Sequence, residues 1–122
     1  MKFTLDSRPD VNLIRGYAPG EVRIGETVLS APCIISATRL ISVWRPSDLD
    51  SVTVQDLAAV FALTPDVVLW GSGMKQIFPP APIRHAFTAQ RIGLEVMDLG
   101  AACRTYNILV QEDRRVAAVL FP

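Results

Sequence analysis

The stretch GLEVMDLGAACRTYN, residues 93–107, decides the fold of this chain. Its apolar first part is typical of a buried strand, and the part that follows Asp98 is typical of a helix. Open α/β sheets place their ligand crevices where a strand leads into a helix N-terminus. The stretch therefore marks where a site is expected, although it does not name a reaction. The polar groups singled out at the helix start and in its first turns are Asp98, Cys103, Arg104, Tyr106 and Asn107.

The second half of the chain alternates between helix and strand patterns. Thr53 is predicted to cap a helix from Val54 to Leu63, with Asp56 completing a capping box. The order of the later elements implies right-handed crossovers and parallel strand pairing. These predicted elements are a buried strand at Asp66–Trp70, a helix with Pro82 in its first turn, a strand at Leu94–Met97, a helix over about residues 99–112 and a strand at Val116–Phe121.

The first half carries strand patterns separated by tight turns. Short strands are predicted at Asn12–Tyr17, Glu21–Ile24 and Thr27–Leu29, followed by a more apolar pair at Cys33–Ala37 and Leu40–Trp44. We expect these hairpins to extend the parallel sheet or to lie across it as another layer. The prediction is one layered α/β domain over residues 1–122. It has a mixed sheet, a parallel βαβαβ C-terminal half and about three helices.

Composition excludes several functional classes. Twelve basic and twelve acidic residues give a formal net charge of zero, which argues against a nucleic-acid partner. No apolar run approaches the ~18 residues of a membrane span, so no integral membrane segment is expected. Neither a signal peptide nor a presequence is recognisable at the N-terminus, which predicts a cytoplasmic protein. Two distant cysteines and one histidine form no zinc spacing, and we expect no metal and no organic cofactor.

Four stretches carry a resemblance to a known family: GYAPGEVRI at residues 16–24, GSG at 71–73, FPP at 78–80, and residues 93–107. With them the chain resembles the small domain shared by many uncharacterised bacterial and archaeal proteins and by mitochondrial complex I assembly factor 3. The resemblance implies a compact layered α/β fold with a mixed sheet. In the mitochondrial member it implies an assembly role exerted through protein contact. This chain departs from the family in lacking a mitochondrial presequence, and in having Ser72 and Leu99 where threonine is expected.

Two residues of the 93–107 stretch could take part in catalysis. Asp98 precedes the third predicted helix, where its carboxylate can accept from the free N–H of Gly100 or Ala101. This capping role is favoured over that of a general base, because capping bonds lower a carboxyl pKa. Cys103 lies near the same helix start, yet the only histidine, His85, falls on a predicted polar face. We therefore expect Cys103 to be a small buried apolar residue.

The other polar residues have both a structural and a binding interpretation. Arg104 could bind a carboxylate or phosphate, or pair with a surface glutamate. Tyr106 is expected to pack its ring in the core and give its hydroxyl to a neighbour, and Asn107 to bond the backbone of an adjacent loop. The Gly71-Ser72-Gly73 run lacks the further residues of a dinucleotide or Walker motif, so a tight turn explains it better than a phosphate cradle.

Two functional hypotheses follow from these observations. The first is a non-catalytic protein-binding or assembly module, whose partner is another protein or a second copy of the chain. The second is a small-molecule-binding protein or enzyme that uses a crevice formed by the Gly71–Gly73 turn and the helix after Asp98. The candidate binding or interface residues are Gly71, Ser72, Gly73, Asp98, Arg104, Tyr106 and Asn107. No catalytic residue is assigned.

Overall fold

The computed structural model describes residues 10–122, which form two β-sheets. The smaller sheet is antiparallel and contains β1 (Ile14–Ala18), β2 (Glu21–Ile24) and β3 (Thr27–Leu29). Its two turns pass through Gly20 and Gly25, whose φ angles of +84° and +59° are readily adopted only without a Cβ atom. All three predicted strands are therefore present, and they form a layer of their own.

The larger sheet contains β4 (Cys33–Ser36), β5 (Leu40–Ile41), β6 (Val67–Gly71), β7 (Gly93–Met97) and β8 (Val116–Leu120). The strand order is β5-β4-β8-β6-β7, in which β6 pairs in parallel with both β7 and β8. β4 pairs antiparallel with β8 and with β5. The mixed sheet and its parallel C-terminal half are confirmed, and the second hairpin extends that sheet.

Three α-helices lie within residues 10–122, namely α1 (Ala58–Phe61), α2 (Ala81–Ala89) and α3 (Leu99–Gln111). The prediction of one helix from Val54 to Leu63 was wrong in part, because Val54–Leu57 is a 3-10 helix and only Ala58–Phe61 is α-helical. At the boundary, the indole Nε1 of Trp44 donates to the Asp56 carbonyl at 3.1 Å. Thr64, with φ of +50°, and Pro65 then stop the helix.

The strand predicted at Leu40–Trp44 was also too long. β5 ends at Ile41, after which Val43 is 91% exposed and Arg45 turns back towards the 3-10 segment. The side chain of Arg45 provides the physical reason, since it bonds residues that follow the strand in sequence rather than residues of the sheet.

The larger sheet separates two hydrophobic cores, because successive residues of a strand point to opposite faces. Leu69, Ala118 and Leu120 face α3 and the smaller sheet. Val68, Trp70 and Val119 face α1 and α2. On this second face the Trp70 ring lies 5.1 Å from the Phe121 ring and meets Phe87 edge-on at 6.3 Å. The apolar run of β6 is thus buried on both sides, as predicted.

An ion pair holds the 3-10 segment in place. Arg45 donates from Nε and Nη2 to the two carboxylate oxygens of Asp56 at 2.7 and 2.5 Å. The same carboxylate accepts from the N–H and hydroxyl of Thr53, so the predicted capping box is present on the aspartate side. The bond from Arg45 is the largest influence on the Asp56 carboxyl and, with the Thr53 bonds, holds its pKa well below the usual range.

This pKa shift predicts a loss of stability in acid. A carboxyl group whose pKa is lower in the folded than in the unfolded protein stabilises the fold above its unfolded pKa of about 3.9. That stabilisation is lost as the pH falls towards the folded pKa. We expect Asp56→Asn to lower the melting temperature at neutral pH and to reduce its decline below about pH 4. Thermal unfolding at a series of pH values measures both, and equal acid sensitivity of the two proteins would contradict the prediction.

Candidate functional site

The candidate site lies where β7 leads into α3, and Asp98 caps the helix there. Its carboxylate accepts from the N–H of Ala101 at 2.9 Å, which confirms the predicted capping role. At the first residue of the helix, the N–H of Leu99 donates to the carbonyl of Gly73 at 2.7 Å. The start of α3 is therefore bonded to the loop that follows β6, and two of its free N–H groups are already used.

The Gly71-Ser72-Gly73 run forms the predicted turn. The Ser72 hydroxyl accepts from the N–H of Ile77 at 2.8 Å and donates to the Lys75 carbonyl at 2.5 Å. The backbone N–H of Ser72 donates to the Met97 carbonyl at 2.9 Å, and Gly73 has φ of +86°. Ser72 is only 5% exposed. Its polar groups organise the loop instead of pointing towards a bound molecule.

Gly71 marks the closest approach of α3 to the larger sheet. A Cβ atom at this position would lie 2.9 Å from the Cβ of Ala102 and 3.1 Å from Cδ2 of Leu120. The Cβ of Ala102 is fixed to the helix backbone and cannot swing aside, so the helix would have to move away from the sheet. The glycine serves helix packing, which is a different role from the crevice wall expected from the sequence.

Tyr106 and Asn107 are buried and attach α3 to the N-terminal part of the chain. The Tyr106 hydroxyl donates to the Asn12 carbonyl at 2.8 Å, which confirms the expected core position. The side chain of Asn107 accepts from the N–H of Ile14 and donates to its carbonyl, both at 2.9 Å. The expectation of a loop partner for Asn107 was wrong, because Ile14 belongs to strand β1.

Arg104 contacts Tyr17, and within residues 10–122 it is not paired with a glutamate. Its Nη1 donates to the Tyr17 hydroxyl, and the guanidinium carbon lies 5.9 Å from the centre of the ring. The ring rests against Gly100, where a Cβ atom would lie 2.7 Å from Cε2 of Tyr17. The sequence interpretation missed both Tyr17 and Gly100. The available signal was a glycine in the first turn of a helix. Glycine lowers helix stability by about 1 kcal/mol relative to alanine, so its presence indicates that another group packs closely at that position.

A shallow cleft of about 290 Å³ opens between this helix start and the β1–β2 turn. Its lining includes Tyr17, Pro19, Met74, Asp98 and Arg104. Of the seven residues expected at a site, Gly73, Asp98 and Arg104 line this cleft. The other four, Gly71, Ser72, Tyr106 and Asn107, are buried. The structure therefore divides the candidate set between a surface and a packing role.

Both cysteines are buried and free. Burial raises the pKa of the Cys33 thiol to about 12, and burial is also the largest cause of the same rise at Cys103. At neutral pH both thiols are protonated, which agrees with the expected role of Cys103 as an apolar residue. Within residues 10–122, no group of three or more His, Cys, Asp or Glu side chains is placed to hold a metal ion.

The loop between β6 and α2 exposes three large apolar side chains, of which the sequence interpretation quoted only Phe78, as part of the family resemblance. Met74 is 75% exposed, Ile77 45% and Phe78 59%. The loop is ordered by its own bonds, since Ser72 holds Lys75 and Ile77, and Gln76 Nε2 donates to the Val96 carbonyl at 2.9 Å. We call Met74, Ile77 and Phe78 the apolar loop patch.

The close packing at Gly71 predicts that even one added methyl group destabilises the fold. We expect Gly71→Ala to lower the free energy of unfolding by about 1–3 kcal/mol, because the added methyl overpacks the contact between α3 and β6. Gly93→Ala is the matched control, since its Cβ atom would meet no atom closer than 3.7 Å. Denaturant titration of both variants tests this, and an equal effect at the two glycines would contradict it.

The buried side-chain amide of Asn107 is predicted to contribute strongly to stability. Asn107→Ala leaves the N–H and C=O of Ile14 without these bonds, and we expect a loss of about 2–4 kcal/mol in unfolding free energy. Ile108→Ala is the control on the same helix, because Ile108 is 58% exposed. Hydrogen exchange of the Ile14 amide provides a local measurement. Unchanged protection in Asn107→Ala would contradict the assigned role.

The sequence is similar to that of a known protein family and of several curated proteins. A family described as proteins of unknown function, DUF498/DUF598, matches residues 14–121. The chain is 32% identical over 105 residues to the 13 kDa major membrane protein of Francisella tularensis subsp. holarctica, covering 85% of each protein. It is 27% identical over 112 residues to NADH dehydrogenase (ubiquinone) 1 alpha subcomplex assembly factor 3 of Danio rerio. That alignment covers 90% of this chain but 64% of the zebrafish protein.

A solved structure supports the same relationship. The NMR structure of the Xanthomonas campestris protein XCC1710 superposes with a TM-score of 0.84 at 33% identity, covering 95% of this chain and 89% of that one. As to the membrane protein among the relatives, no helix of the present chain between residues 10 and 122 has the length and apolar character needed to cross a bilayer. The resemblance to assembly factor 3 is confirmed, and the protein belongs to the DUF498/DUF598 family.

Proposed function

We propose that this protein is a non-catalytic binding module that acts by contact with another protein, in an assembly role. The observation that carries the proposal is the apolar loop patch, in which three large side chains within five residues face solvent. Removing such exposed apolar groups from water is favourable, so a patch of them promotes binding to a partner. Aromatic residues and methionine are also enriched in protein interfaces.

The state of the polar residues supports the same proposal. Asp98 caps α3, Ser72 orders its own loop, and Asn107 bonds the backbone of Ile14. The buried groups of Ser72 and Asn107 are thereby engaged within the fold, and Asp98 uses one carboxylate oxygen to hold the helix start. The patch, in contrast, sits on a loop that is already ordered, so little conformational entropy is lost when a partner binds.

The relatives support the proposal at a coarser level. The zebrafish relative is by name an assembly factor, and this chain spans 64% of its length. We carry over the general role of assembly through protein contact, and the respiratory complex of that relative is not assigned to this chain. The partner is another protein or a second copy of this one, and the cytoplasm expected from the sequence belongs to the same proposal.

The proposal predicts the outcome of partner capture from cross-linked extracts of the source cells. We expect the wild-type protein to retain a defined partner and the double variant Met74→Ser, Phe78→Ser to lose at least about nine-tenths of it. Removing two central apolar contacts costs about 1–2 kcal/mol each. Ile108→Ser is the matched control, since it removes an equally exposed side chain from the far part of α3. Quantitative mass spectrometry measures the retained partner.

Two results would contradict the proposal. One is equal capture by the wild type and the double variant, with both folded by circular dichroism. The other is a monomeric protein that captures nothing, yet is stabilised by phosphates, nucleotides or carboxylates. Stabilisation of that kind favours the alternative function, a small-molecule site in the cleft beside Asp98 and Arg104.

A further inference from the structure

Strand β7 is an edge strand of the larger sheet. The N–H of Gly93 donates to the Asp66 carbonyl, and the Met97 carbonyl accepts from Ser72, so these two backbone groups face β6. Because alternate residues of a strand direct their backbone groups to opposite edges, those of Leu94 and Val96 point away from the sheet. Within residues 10–122, the one hydrogen bond made on that side comes from the side chain of Gln76, to Val96.

A groove runs beside this edge, between β7 and α2. It has a volume of about 450 Å³. Its apolar lining is Phe78, Phe87, Ile92, Leu94 and Val96, and the α2 side adds the polar side chains of Arg84, His85 and Thr88. Phe78, a member of the apolar loop patch, forms part of the lining and is 59% exposed. The edge therefore combines three backbone groups without a partner among residues 10–122, namely the N–H and C=O of Leu94 and the N–H of Val96, with a groove that is apolar along its β7 side. These are the two features by which a sheet edge binds an extended peptide.

The side chain of Glu95 favours a basic partner strand over a second copy paired about the strand centre. It is exposed and lies on the opposite face of β7 from Leu94 and Val96, because the three residues are consecutive in a strand. A second copy paired antiparallel about the strand centre would place two Glu95 carboxylates directly opposite each other, which is destabilising. A partner strand with Lys or Arg at this position would instead gain a favourable cross-strand pair.

We propose that β7 accepts an extended segment of a partner protein as an added strand of the sheet. The segment has apolar side chains at alternate positions, which enter the groove between β7 and α2. Between them it carries a Lys or Arg that faces Glu95. This inference rests on the proposed protein-binding function and specifies the binding mode. It joins the apolar loop patch and the β7 edge into one surface through Phe78 and Gln76.

A designed peptide tests the mode directly. The probe is a short capped peptide with valine at alternate positions, threonine at the others and one central lysine. We expect its titration into the labelled full-length protein to shift the amide NMR signals of residues 93–97 and 76–78. Glu95→Lys should weaken binding by about two- to ten-fold, and a peptide with a central glutamate should recover that loss on the Glu95→Lys protein.

A backbone variant separates strand addition from simple apolar contact. Leu94→Pro removes a backbone N–H that faces away from the sheet. It leaves the bonds that Gly93 and Met97 make with the residues flanking β6. Proline is tolerated at such positions of an edge strand. Leu94→Val is the control, since it retains the N–H. We expect the proline variant to lose most peptide binding and the valine variant to keep most of it. Should the proline variant fail to fold, the charge exchange at Glu95 still decides the question.

Several outcomes would overturn the inference. These are peptide shifts confined to other surfaces, equal binding of both peptides to the wild type and Glu95→Lys, or a wild-type dimer that Glu95→Gln tightens in sedimentation. The last result would assign the edge to a second copy. If the peptide does not bind but the Met74→Ser, Phe78→Ser variant still loses its cellular partner, the strand-addition mode fails and the proposed function stands.

Discussion

The structure depends on how helix α3 is fixed to both sheets at once. Asn107 satisfies the N–H and the C=O of Ile14, which ties the helix to the smaller sheet. Gly71 lets the same helix approach β6 of the larger sheet at a distance that no side chain would allow. Buried polar groups are costly unless they are bonded, so the amide pair fixes one arrangement of these layers, and the glycine contact fixes how deeply the helix sits.

This arrangement determines what is left for function. In open α/β sheets ligands usually bind where a strand leads into a helix, which here is the helix start after Asp98. Most polar groups at that point bond to other parts of the fold instead. The exposed apolar side chains near this helix start lie on the neighbouring loop, and the open edge of β7 lies beside that loop. Glu95 gives that edge a charge, which disfavours pairing with an identical strand while permitting a basic partner.

The secondary structure of the C-terminal half could be predicted because local signals agree with the tertiary fold there. Pro82 begins α2, Asp98 caps α3, and the apolar run of β6 is buried on both faces. Agreement failed around Val54–Leu63, where the helical period is present but only four residues are α-helical. Contacts with distant residues decided that segment, in particular those of Trp44 and Arg45 with Asp56.

The sequence by itself determined the class of the fold, the order of its elements, the helix cap and the apolar nature of Cys103, because each follows from composition or spacing over a few residues. Only the tertiary structure decided which polar residues are available. Arg104 meets Tyr17, 87 residues earlier, and Asn107 meets Ile14, 93 residues earlier. It also decided that β7 lies at an edge of the sheet. The order of strands depends on how the crossover connections run, and the local sequence pattern does not determine this.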